Sequence, residues 1–289
     1  MKSEERNRTH HMNVTIQKLC TGLQFSEGPV WDRREERLLF SDIQFDEEIP
    51  GNRIMSWSPS KGLKTFREPS GNSNGLTFDQ QGNLIVCEMR NRCISSIDPN
   101  GVRRVLVDRF KGRRFNAPND VAVRYDGMIY FTDPEYGIYI GDRDIPQQGL
   151  YRFEPLNKKL EILAEDFVQP NGLAFSPNGD RLYVIDSARS LCHIRVFNVN
   201  NKGDISGGSI LAKVSGSDGM KVDEEGNLYV AGSDGIHIFY PSGKNLGVIP
   251  IKERPTNLAW GGRAWRTLYI TARTSLYRVH MSIPGKPTF

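Results

Sequence analysis

A chain of 289 residues that is 38% hydrophobic and 25% charged has ample material for a folded core. Its mean hydropathy is −0.48, and no apolar run approaches the ~20 residues a membrane-spanning helix needs. The net charge of +4 is mild, and the short pairs Arg103-Arg104 and Arg113-Arg114 lack interleaved aromatics, so neither a membrane nor nucleic acid is an expected partner.

Residues 1–11, MKSEERNRTHH, are charged and lack the apolar stretch of a signal peptide. They read as a solvated leader, and His10 with His11 makes a poor metal pair. The cysteines (Cys20, Cys87, Cys93 and Cys192) show no CxxC spacing, which predicts reduced thiols and a cytoplasmic location. Val14 to Cys20 (VTIQKLC) reads as a lone strand. One phrase then recurs, beginning at Glu27 (EGPVWDRREERLLFSD), Asn74 (NGLTFDQQGNLIVCE), Asn119 (NDVAVRYDGMIYFTD), Asn171 (NGLAFSPNGDRLYVID), Asp218 (DGMKVDEEGNLYVAG) and Thr256 (TNLAWGGRAWRTLYIT). Each copy is an alternating apolar run, a turn rich in Gly, Asp and Asn, and a second apolar run, which together predict a β-hairpin. The spacing suits propeller blades rather than helical solenoids.

Further strands are expected after each hairpin, such as Cys93 to Ile97 and Arg103 to Val107. The expected fold is all-β, a six-bladed propeller of four antiparallel strands per blade in a single domain over residues 1–289. The last repeat supplies three strands, near Asn257 to Trp260, Thr267 to Thr271 and Ser275 to His280. Val14 to Cys20 is therefore expected to close the ring as the outer strand of the last blade, leaving no open edge.

In a propeller the first strand of each blade lines the central channel, so the repeated openers gather at one mouth. Loops joining second and third strands crowd the same mouth, and two are long: residues 42–52 and 133–148. Taken one at a time, Asn-Gly and Asp-Gly are favoured turn dipeptides. Glu27 has no such preference, yet it fills the same slot. Two carboxylates converging with amides on one channel repel unless a cation neutralises them. Oxygen donors without His or Cys suit Ca²⁺ first, then Mg²⁺ or Mn²⁺, rather than a soft-ligand zinc site, with Zn²⁺ as a further alternative. Glu27, Asn119, Asn171 and Asp218 are the expected ligands, leaving positions for water and substrate. Asn74 and Thr256 are weaker candidates. The Asp of DQQGN, DPNGV and DEEGN reads as a turn former, since those segments lack calcium-loop spacing. No Gly-x-Ser-x-Gly elbow, P-loop or dinucleotide fingerprint is present.

The stretches SEGPVW, FNAPNDVAV with YFTDPEYG, QPNGLAFSPNG, SDGMKVDEEGNLYVAG and TLYITARTSLYRV resemble the senescence-marker-protein/gluconolactonase family from about Leu23 to Val279. The resemblance implies a six-bladed propeller holding one divalent cation, with Glu27, Asn171 and Asp218 at the ligand positions. Asn119 matches an Asn that ligates the metal or contacts substrate. It further implies hydrolysis of a small-molecule sugar lactone to the aldonic acid, with Asp218 positioning or deprotonating the attacking water. Substrate contacts are expected from Asn74, Arg90, Asn119, Asp133, Glu135 and Tyr136. Four positions depart from the usual wording: Met89 stands for His, Arg90 for Gly, Glu135 for Pro, and Ala117 for a lactone-binding Arg. Alternatives are phosphoester or fluorophosphate hydrolysis, or metabolite binding without turnover.

Overall fold

A computed structural model describes residues 14–136 and 143–288. The leader over residues 1–11, with His10 and His11, lies outside the described residues, as does the middle of the 133–148 loop. The turns form as the sequence suggests. The side chains of Asp79, Asp98 and Asp223 each accept backbone N–H groups from two and four residues on. Gly82, Gly101 and Gly226 take the left-handed backbone that completes each turn, at φ 80°, 83° and 85°. These aspartates therefore fold hairpins rather than hold calcium.

The hairpins assemble into a propeller with five blades, which corrects the expected six. Four sheets have four antiparallel strands each, spanning Ser73–Val107, Val121–Phe167, Pro170–Lys213 and Met220–Pro250, in sequential strand order. The fifth has six strands and merges the first and last repeats. Two strands cause the merger. The first, Ile16–Asp32, is 17 residues long, and the last, Thr267–His280, is 14 residues long. The sequence reading splits each in two, at a loop near 272–274 and ahead of Glu27. In the structure both run on, and Ser26 faces Arg273 on one side and Asp42 on the other. A register shift between Thr21 and Ser26 absorbs the bend, so hydrogen bonding continues where a gap between blades was expected. The segment Ile16–Cys20 pairs antiparallel with Leu276–Val279.

Apolar side chains fill the spaces between sheets. Ile85, Cys87 and Ile94 meet Phe115, Phe131 and Tyr151 across one such interface, and Tyr130 and Leu150 meet Phe175 and Phe197 across the next. Trp31, Trp57, Trp260 and Trp265 all belong to the cluster beside the six-stranded sheet, where Trp31 stacks on Tyr269 with centroids 5.4 Å apart. Among the described residues no helix is long and apolar enough to cross a membrane.

Candidate active site

Each opener sits at or just before the start of an inner strand, except Glu27, which lies within the long strand Ile16–Asp32, and the backbone next to the openers ties neighbouring sheets together. Gly75 N donates to Asn119 O at 2.7 Å, Gly172 N to Asp218 O at 3.0 Å, and Gly219 N to Thr256 O at 2.8 Å. Hydroxyls of the second strands add to this lacing. Ser41 Oγ donates to Asn74 O at 2.7 Å, and Thr132 Oγ1 donates to Asn171 O at 2.8 Å. This explains the glycine that follows several openers. A Cβ on Gly75 would lie 2.6 Å from Asp120 Cα, and one on Gly172 would lie 2.5 Å from Asp218 O. Both glycines lie in strands rather than turns. The Asn-Gly pairs at 74 and 171 thus serve close approach between blades, not the turn that the dipeptide suggests.

The lacing turns side chains toward one mouth of the channel. Glu27, Asn74, Asn119, Asn171 and Asp218 line a cavity of about 220 Å³ there, joined by Phe25, Ile43, Phe45, Met89, Tyr136, Ser187, Ser217 and Arg254. Glu27 is buried, and its Oε2 accepts from Gly28 N at 2.7 Å and from Asn257 Nδ2 at 3.1 Å. Burial, and then the charge of Asp218, push the Glu27 carboxyl far above the usual range. Asp218 keeps a partly open face on the cavity. Loss of water still raises its carboxyl to about 7, against the opposing pull of the Arg254 guanidinium. The Tyr136 hydroxyl lies 2.5 Å from Ser187 Oγ and donates to Gln169 Oε1 at 3.1 Å. Asn171 Nδ2 reaches the same Ser187 Oγ at 3.4 Å, so one hydroxyl links the tyrosine to the ring.

Other sequence candidates lie elsewhere. Thr256 is buried in the lacing, its Oγ1 donating to Ser26 O at 2.6 Å. Asp133 is fully buried behind the mouth, where Oδ2 accepts from Asn116 N at 2.8 Å, and it does not line the cavity. Asp42 and Asp186 repeat this arrangement, each accepting two backbone N–H groups from the segment entering its first strand. Glu135 pairs with Arg143 at 3.1 Å, and Arg90 is exposed; neither lines the cavity. Ala117 is buried in a small apolar cluster with Ile43 and Met89.

Three residues escaped the sequence reading. Asp120 follows an opener and is buried, Oδ1 accepting from Val121 N at 2.9 Å while Oδ2 has no partner among the described residues. Its charge acts on both Glu27 and Asp218. The signal was present as an Asp where most copies have Gly. Ser217 and Arg254 flank openers and also line the cavity.

A β-propeller with carboxylates and amides at one mouth of its channel, under a small open cavity, is a binding or hydrolytic scaffold. Residues 25–274 match the family of SMP-30/gluconolactonase/LRE-like regions, and the chain belongs to that family. A gluconolactonase of Zymomonas mobilis is 33% identical, over 95% of this chain and 83% of that protein. The solved structure of a gluconolactonase from Xanthomonas campestris superposes with a TM-score of 0.87 at 28% identity, covering 96% of this chain and 94% of that one. A calcium-binding protein of Agrobacterium tumefaciens, regucalcin, shares the fold at a TM-score of 0.78 and 16% identity, over 94% and 95% of the two chains.

Proposed function

We propose that this chain is a lactonase, opening a sugar lactone to its aldonic acid with the help of one divalent cation. One observation carries the reading: acids and amides converge beneath the cavity in a chain similar, over nearly its whole length, to gluconolactonases. The acids need positive charge. Asp218 raises the affinity of Glu27 for protons, Asp120 does so for both, and the Asp120 Oδ2 is buried without a partner among the described residues. An all-oxygen donor set fits a hard cation, calcium foremost. Glu27, Asn119, Asn171 and Asp218 would hold it. When bound, such an ion polarises the lactone carbonyl and keeps both carboxylates ionised.

The side chains divide the remaining work. Asp218, partly open to the cavity, orients the attacking water and accepts its proton. The water oxygen bonds to the acyl carbon, the ring C–O bond breaks, and the ring oxygen leaves with a proton as a hydroxyl. Asn74 and Asn119 hold substrate oxygens. Burial keeps the Tyr136 phenol protonated, so it remains a donor, and Ser187 and Gln169 fix its position. Hydrolysis of an aldonolactone panel, followed by acid release with and without chelator, tests the reading. Turnover well above the spontaneous rate, lost on chelation and restored by a dication, is expected. Rates indifferent to chelation would refute cation dependence, and turnover confined to an included phosphate triester would refute the lactonase reading.

A further inference from the structure

The cavity has two chemically opposed walls. Phe25, Ile43, Phe45 and Met89 form one, with Ala117 packed in the same apolar cluster. Tyr136, Ser187, Ser217 and Arg254 belong to the polar remainder. On the apolar wall the one polar atom of any side chain is the Met89 sulfur, and Asn74 Nδ2 already approaches it at 3.6 Å.

This wall is held in place by its neighbours. The Phe25 and Phe45 rings meet edge to face with centroids 5.3 Å apart. Gln24 Nε2 donates to Asp46 O and Ile49 O, both at 3.0 Å. The Asn72 amide grips Gln44 from both sides, Nδ2 donating to its O at 3.0 Å and Oδ1 accepting from its N at 2.7 Å. Phe45 nevertheless remains 62% exposed, an apolar surface at the rim of the cavity. Of the polar lining residues, Ser217 has its Oγ buried with no hydrogen-bond partner among the described residues. Arg254 donates through Nη2 to Gly216 O at 3.2 Å.

We propose that the lactone taken by this site is two-faced. Its hydroxylated edge meets Ser217 and Arg254, and a deoxygenated or alkyl carbon meets Phe25, Ile43, Phe45 and Met89. The proposal rests on the lactonase reading above and names the substrate class within it. A hydroxyl turned onto the apolar wall loses its water partners and gains none, whereas a methyl group there is sheltered from water. A pocket of this kind discriminates by about tenfold to a hundredfold between such groups.

The test compares kcat/KM of the full chain, supplied with dication, for an aldono-1,5-lactone and its 6-deoxy counterpart, in which CH₃ replaces CH₂OH. The deoxy lactone is expected to win by about tenfold or more. Met89→Gln and the rim change Phe45→Asn should each cut that ratio to about threefold or less. Phe45→Asn keeps the test readable if a change at buried Met89 harms folding. Ser217→Ala should lower kcat/KM for both members alike. Equal or faster hydrolysis of the CH₂OH lactone by the unmodified chain, or a ratio unmoved by Phe45→Asn, overturns the inference while leaving the lactonase reading intact. Hydrolysis of neither lactone overturns both.

Discussion

At one end of the channel Glu27, Asn74, Asn119, Asn171 and Asp218 gather beneath a cavity of about 220 Å³. Three residues along, the inner strands present Val30, Thr77, Ala122, Ala174 and Lys221 to a second cavity of about 90 Å³. The chain itself closes this second end. Gly285 lies so close to the Trp260 ring that a Cβ would fall within it, and Lys286, Pro287 and Thr288 line the space. Glu224 N donates to Pro284 O at 3.0 Å and Gly285 N to Trp265 O at 2.8 Å, so the segment is bonded in place. Even the Lys286 amine finds a partner, donating to Ser176 O at 3.2 Å, and burial lowers its pKa. One set of strands therefore carries a filled end and an open end. The open end gathers Glu27, Asp218 and three amides under its cavity, whereas mostly apolar side chains and the segment 286–288 line the other. That difference in lining chemistry, more than cavity size, marks the working end. A larger cavity of about 550 Å³, lined by Arg33, Arg34, Phe66 and Asp98, gathers none of the ring residues.

Substitutions at the two ends should separate activity from stability. Asp218→Asn is expected to lower lactone turnover by roughly 10²–10⁴-fold. The thermal midpoint without cation should stay level or rise, because a buried acid has been removed. A variant with more than half the parental kcat/KM would break the contrast. At the closed end, Gly285→Ala pushes a methyl group into Trp260 and should cost about 1–3 kcal/mol in denaturant unfolding. Its kcat/KM should stay within about twofold of the parent, since the mouth is untouched; an equal loss in both readouts would mean the ends are coupled.

Asp133 sharpens the comparison through pH. Burial raises its carboxyl to about 7, well above the value in an unfolded chain. Between about pH 4 and 7 the folded state thus holds a proton that the unfolded state has released. Stability from this group is fully present below that window and is lost as pH rises through it, at roughly 1.4 kcal/mol per pH unit at most. Asp133→Asn should flatten that part of the pH–stability curve measured without cation, and an unchanged slope would assign it to other groups. Asp218 adds a loss of the same sign, and a bound dication should oppose it by favouring the ionised carboxylate. The smallest shift in pH dependence is expected from Arg254→Met. Without the guanidinium the Asp218 carboxyl should titrate higher, moving the acid limb of the pH–rate profile upward by a fraction of a unit. A downward move would show that Arg254 acts on another group.

The strand starts were legible because a repeat copies backbone register as well as sequence. Any opener located in one copy locates its counterparts in the others, and Glu27 gave the clue that turn chemistry alone could not explain. Asp133 shows where that logic stops. It ends a strand at the right height, yet its carboxylate turns inward to take the Asn116 N–H, and Asp42 and Asp186 do the same in their own repeats. Asp120, Ser217 and Arg254 went unread because all three lie in the segments leading into inner strands, where no strand alternation tells which way a side chain faces.

Sequence by itself determined the hairpins, their turns, the all-β propeller class and the residues that open the inner strands. These depend on local alternation, Asx turns and repetition, which are properties of short segments. Tertiary structure decided the number of blades, since Ile16–Asp32 and Thr267–His280 continue through the expected gap and pair across it. It also decided which glycines are turns and which are close contacts, and which carboxylates reach the cavity rather than a buried N–H. Each of those outcomes depends on a neighbour from another sheet, a distance that no local pattern contains.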